Sequence, residues 1–336
     1  MNNNLTAPFL LIAAMLVLIL FQSVLFANED VIYTDTDIET EEKENGEYIT
    51  DYITVNNVKY KPDRFFILAV ASNICAFLLP AVFYVKLKGA GYSKNLKLEL
   101  PKLRYVPVSA YMFIVLISGT VLANSLVFYL SGAGAGADSG SVLPVMIHTG
   151  GNPVYDMGIL IAFVILPAFC EEFFFRSVLS AEYEKYGAFC AVMMTSAAFA
   201  MIHFSVSFFP AYFIAAVVLY IMVKITNSVI YAVVLHAGYN FFNIYFWDRL
   251  SGVLDFEQNR FIFIFITAVI FLLFLIFVLK DIEGIYYGKA YRNEPSPVHA
   301  AENDNRAMFL IRFLKSFLSP VFIAAGIMFF VYINII

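Results

Sequence analysis

Stretches of about twenty apolar residues recur along the chain, the length at which a helix rising 1.5 Å per residue crosses a hydrocarbon core about 30 Å thick. Clear runs occupy residues 8–27, 65–85, 105–130, 261–280 and 316–335. Between 157 and 247 polar residues interrupt the pattern, yet 158–183, 188–209, 211–224 and 228–247 still read as helices. An all-α, polytopic transmembrane helix bundle of about nine spans is therefore predicted. Composition agrees: 61% of the 336 residues are hydrophobic and 14% charged, too little polar surface to cover a soluble domain. The first run follows MNNNLT, which carries no positive charge, and it exceeds a signal-peptide core, so it is read as an anchor.

Basic residues in the loops orient the spans. Residues 86–104 hold Lys86, Lys88, Lys94, Lys97, Lys102 and Arg104 against the single acid Glu99, which predicts a cytoplasmic loop. Alternation then puts 15 of the 21 basic residues on that side and the carboxyl end outside. The segment 28–64, with eleven acids, and the Gly-rich SGAGAGADSGS fall outside, where they read as solvated excursions. Three regions result: N-terminal spans in 1–156, a polar-interrupted core of four helices in 157–247, and two further spans in 248–336. The short basic clusters form no continuous face, so no nucleic-acid partner is implied. Cys75, Cys170 and Cys190 lie in apolar runs and read as packing residues. His148 and His299 read as loop residues without a role.

Ionisable side chains inside a span are costly and mark interior or watery sites. Here they gather in one region: Glu171, Glu172 and Arg176 in the fourth span, His203 in the fifth, His236 and Asn240 in the seventh. Glu172 and Arg176 stand at i and i+4, in the favourable order for an ion pair. Glu171 lies about 100° away around the helix and is the freer carboxylate. Pro167 removes a backbone N–H and predicts a kink ahead of the glutamates. His236 and Asn240 share a helix face, and Gly238 between them permits a close approach. Counted from the predicted cytoplasmic ends, the glutamates and both histidines lie at depths of about 12–23 Å, so modest tilts bring them together. A carboxylate, two imidazoles and an amide suffice for peptide hydrolysis, with a base for water and donors for the oxyanion.

EEFFFR (Glu171 to Arg176), FAMIH (Phe199 to His203) and HAGYN (His236 to Asn240) resemble the motifs EExxxR, FxxxH and HxxxN of the CPBP family. These are the type II CAAX prenyl endopeptidases and bacteriocin-processing proteins, also called Abi. Their order and spacing match as well, over residues 157–247. The resemblance implies an intramembrane endopeptidase, in a prokaryotic cell membrane, whose site opens towards the cytoplasm. It makes Glu171 the water-activating base beside His203, His236 and Asn240 the oxyanion stabilisers, and Glu172 and Arg176 organisers. Its partners would be the lipid bilayer and a peptide or protein substrate, prenylated or membrane-associated.

No cofactor is expected, because the chain has no HExxH helix; the alternative is zinc held by Glu171, His203 and His236 with an open position for water. Two readings outside enzymology stand beside the protease. The same cluster suits a proton or ion relay in a transporter, although no paired halves are visible. A non-catalytic immunity protein that binds a peptide would also keep the fold.

Overall fold

A computed structural model describes residues 7–27, 51–55, 58–131, 145–149, 153–246, 260–291 and 306–335. The acidic stretch 28–50, the Gly-rich 132–144 and His299 lie outside the described residues. In chain order the elements are α1 (Ala7–Ala27), β1 (Asp51–Val55), β2 (Val58–Tyr60), α2 (Pro62–Lys88), α3 (Val106–Ser131), β3 (Val145–Thr149), α4 (Pro153–Tyr186), α5 (Ala188–Met201), α6 (Phe209–Thr226), α7 (Val229–Tyr245), α8 (Arg260–Tyr291), α9 (Arg306–Phe317) and α10 (Pro320–Ile335).

The protein is a polytopic helical bundle. Each of the nine predicted runs falls on a helix, but length divides them. Among the described residues, five helices are long and apolar enough to cross a membrane, or six when α9 and α10, bent by 50° at Leu318–Ser319, count as one span. The largest departure from expectation is the fifth run. A helix over 188–209 was predicted, yet α5 stops at Met201 after 14 residues. The chain turns through 202–208, with Phe204 in the left-handed region at φ 48°, and returns as α6. At 1.5 Å per residue α5 reaches only about 21 Å, so His203 sits in a turn beyond its end and not inside a span.

The sequence reading also contains no strands. β1 pairs antiparallel with β2 and with β3, giving the order β2-β1-β3. Five residue pairs join β1 to β3, from Asp51 with Thr149 to Val55 with Val145. The loops before α2 and before α4 are thus tied together, and His148 is a strand residue opposite Tyr52. Tyr60 and Phe65, 5.1 Å apart between ring centroids, anchor this small sheet to α2.

Four contacts fix the start of α7, which carries His236 and Asn240. Lys97, held at φ 53°, presents its carbonyl to the Val229 N–H at 2.9 Å, satisfying an amide that a helix start leaves unpaired. The Ser228 hydroxyl donates to the Glu99 carbonyl at 2.5 Å, the Tyr231 hydroxyl to the Lys102 carbonyl at 2.6 Å, and Asn227 Nδ2 to the Glu99 carboxylate at 2.5 Å. The predicted cytoplasmic loop therefore positions the core. One Glu184 carboxylate oxygen also accepts from Lys97, from the Tyr220 hydroxyl at 2.8 Å and from Lys224 at 3.1 Å. Burial holds the Lys97 ammonium below the usual lysine range, opposed by the Glu184 carboxylate. These contacts gather Lys88, Lys97, Lys185 and Lys224 at one end of the bundle, where they meet Glu182 and Glu184.

Candidate active site

α4 runs 34 residues as one span, but its hydrogen bonding changes twice. A π-turn covers 160–165, α-helix resumes over 166–172, and a second π-turn covers 173–179. The first lies just before Pro167: Leu166 N–H bonds to the Ile161 carbonyl, five residues back, where the ladder would otherwise meet the proline ring. The irregularity expected at Pro167 is present as this widened turn, while the helix continues through it. The short α-segment between the two turns ends in Glu171 and Glu172, and π-turns of this kind concentrate at functional sites.

Glu172 is the hub. Its side chain is fully buried, one oxygen standing 3.1 Å from Arg176 Nε and the other 2.8 Å from His236 Nδ1. The ion pair expected from the i, i+4 spacing is formed, and the bond across to α7 adds a partner that the spacing did not show. Arg176, 1% exposed, also reaches the Ala216 carbonyl on α6 through Nη2 at 3.4 Å, and its guanidinium lies 4.4 Å from the Phe199 ring centroid. Four helices, α4, α5, α6 and α7, are thereby connected through one carboxylate and one guanidinium.

Glu171 differs. It is buried among His236, Glu172 and Arg176, and its Oε2 has no hydrogen-bond partner among the described residues. Such an oxygen is an acceptor that water or a ligand can occupy, and Glu172 Oε2, beside Arg176, is likewise without a hydrogen bond.

Both histidines are oriented through Nδ1. A carbonyl or carboxylate only accepts, so His203 Nδ1–H donates to the Phe199 carbonyl at 2.8 Å and His236 Nδ1–H to Glu172. Nε2 of each neutral ring is then the acceptor nitrogen. His203 also stacks on Tyr212 of α6, with centroids 3.7 Å apart and planes at 23°. Phe199 packs against both imidazoles, at 4.9 Å from His203 and 5.8 Å from His236. Phe199 is the first position of the FAMIH motif, while Tyr212 lies outside all three motifs; an aromatic with a polar tip inside an apolar run is the signal that marks it.

Asn240 is buried one turn beyond His236 on α7. The close approach expected at Gly238 comes from α3: an added Cβ would stand 3.0 Å from Cε2 of Phe113. A ring of the scaffold, not a substrate backbone, fills that space.

Among the described residues no three His, Cys, Asp or Glu side chains are grouped to hold a metal ion. Glu171, His203 and His236 do not form a ready ligand set, and no step is derived through a metal.

Two buried glutamates and two imidazoles, each ring held through Nδ1, thus lie within a helical bundle of membrane-spanning composition. Residues 153–242 match the family model described as Type II CAAX prenyl endopeptidase Rce1-like. The resemblance carried by the three motifs is thereby established for this segment, and it supports a CAAX-type intramembrane protease in general. No curated protein and no solved structure was found to match the chain.

Proposed function

We propose that this protein is an endopeptidase that hydrolyses a peptide bond near the cytoplasmic side of the membrane with water activated by Glu171. The observation that carries the reading is the contrast between two adjacent buried glutamates. Glu172 faces Arg176 at 3.1 Å and His236 at 2.8 Å, while Glu171 Oε2 has no hydrogen-bond partner among the described residues. Glu171 takes a proton from water as its oxygen bonds to the peptide carbonyl carbon. His203, whose Nε2 is an acceptor once Nδ1 donates to Phe199, positions that water. Asn240 donates from its amide to the oxygen that gains charge, and His236, its Nδ1–H held by Glu172, joins it when the ring carries a second proton on Nε2. As the C–N bond breaks, the proton on Glu171 passes to the leaving amine, and a carboxylate and an amine are released.

The family match suggests membrane-tethered substrates with prenylated CAAX tails, whose last three residues would be removed. Purified protein in liposomes should cleave a farnesylated CAAX peptide; no cleavage of that peptide or of an unmodified lipid-anchored one would overturn the peptidase reading. Asn240→Ala should lower kcat by about 10²–10³-fold with little change in KM, because the amide matters chiefly when the carbonyl oxygen carries charge. A second expectation concerns metal. Activity should persist after exhaustive chelation, and loss of activity restored by zinc would move the histidines into ligand roles.

A further inference from the structure

The helix α9, RAMFLIRFLKSF, carries three basic residues and no acid. It exposes Leu310, Ile311, Leu314 and Phe317 by 42–53% each, an apolar stripe at helical spacing. The helix is 12 residues long and bent 50° from α10. Its position in the bundle is set by Phe313, whose ring is 5.7 Å from Phe189 at the start of α5. That contact puts α9 at the same end as Lys88, Lys97, Lys185 and Lys224. An amphipathic basic helix at the basic end of a membrane bundle has the form of an interfacial helix.

The elbow between α9 and α10 supplies a place for one molecule. An open groove of about 430 Å³ is lined by Ile311, Leu314, Leu318 and Pro320, with Lys315 and Ser319 as its polar groups. Lys315 is exposed, and among the described residues no acid lines the groove. An apolar trough with a lone ammonium at its edge complements an acyl chain joined to an anionic headgroup. We propose that the α9–α10 elbow binds an anionic phospholipid, with Lys315 holding the phosphate and Leu314, Leu318 and Pro320 against the acyl chain.

Native mass spectrometry of the delipidated full-length protein, with phosphatidylglycerol or phosphatidylcholine added, tests this. Wild type should retain phosphatidylglycerol several-fold more than phosphatidylcholine, and Lys315→Ala should lower that preference by about five-fold, the effect of one basic residue near an anionic surface. Lys94→Ala removes an exposed cation at the same end but away from the groove, and should leave the preference unchanged. Equal retention of the two lipids by wild type would overturn the proposal. So would an equal loss in Lys94→Ala, which would mean a diffuse field, or displacement of the lipid by inorganic phosphate, which would mean a free-anion site. None of these readouts depends on peptidase activity.

Discussion

Replacing Glu171 with glutamine is expected to lower turnover by about 10²–10⁴-fold while substrate binding survives. Glutamine keeps the size of the side chain and one carbonyl oxygen, but it cannot take a proton from water. The short contacts to Arg176 and His236 are made by Glu172 and not by Glu171. The folded yield of Glu171→Gln should therefore equal that of wild type, and the defect should lie in kcat. Single-turnover cleavage of a tethered peptide in liposomes measures this directly. If Glu171→Gln cleaves as fast as wild type, the glutamate-activated mechanism is wrong, and a relay or a peptide-binding protein becomes the better account. His203→Ala should follow Glu171→Gln in this assay, since water must be placed as well as deprotonated.

Arg176→Ala should fail differently. Arg176 is 1% and Glu172 0% exposed, so truncation strands a buried carboxylate, an effect of about 3–5 kcal/mol for a broken buried pair. Folded yield and the midpoint of thermal unfolding in detergent should fall together with activity. A double replacement separates the two losses. Glu172→Gln with Arg176→Met removes both charges, and replacing a buried pair by uncharged groups of similar size is often close to neutral for stability. Thermal stability should recover towards wild type, but His236 loses the carboxylate that holds Nδ1 and activity should stay low. Recovery of both would mean that the pair only staples helices. A stable, inactive Arg176→Ala would mean that its charge acts on the chemistry and not on the fold.

Features governed by spacing along one helix were legible in the sequence. Glu172 and Arg176 meet because residues four apart share a face, and the burial of His236 with Asn240 follows the same period. Features that depend on how two helices rotate and slide against each other were not. The bond from His236 to Glu172 joins residues 64 apart, and neither helix pattern specifies that depth or rotation. The stacking of His203 on Tyr212 needs α5 to stop early, and the apolar run through 209 hid the turn because Ile202, Phe204, Val206 and Phe208 are as hydrophobic as a span. The strands were missed for a simpler reason. DYITV and VMIHT are short and β-branched, but pairing partners almost a hundred residues apart cannot be matched without the fold. The orientation of the site towards the cytoplasm still rests on the basic loops alone.

The turn that carries His203 is closed by a helix that the chain makes much later. The Phe204 ring lies 4.6 Å from Tyr332 on α10, and Phe209 lies 5.9 Å from Phe329. Tyr332 in turn donates to Gln22 of α1 at 2.5 Å. All three motifs precede in the chain the helix that packs on Phe204 and Phe209. The turn that carries His203 thus takes its packing from a helix near the far end of the chain, which is itself tied to the first helix.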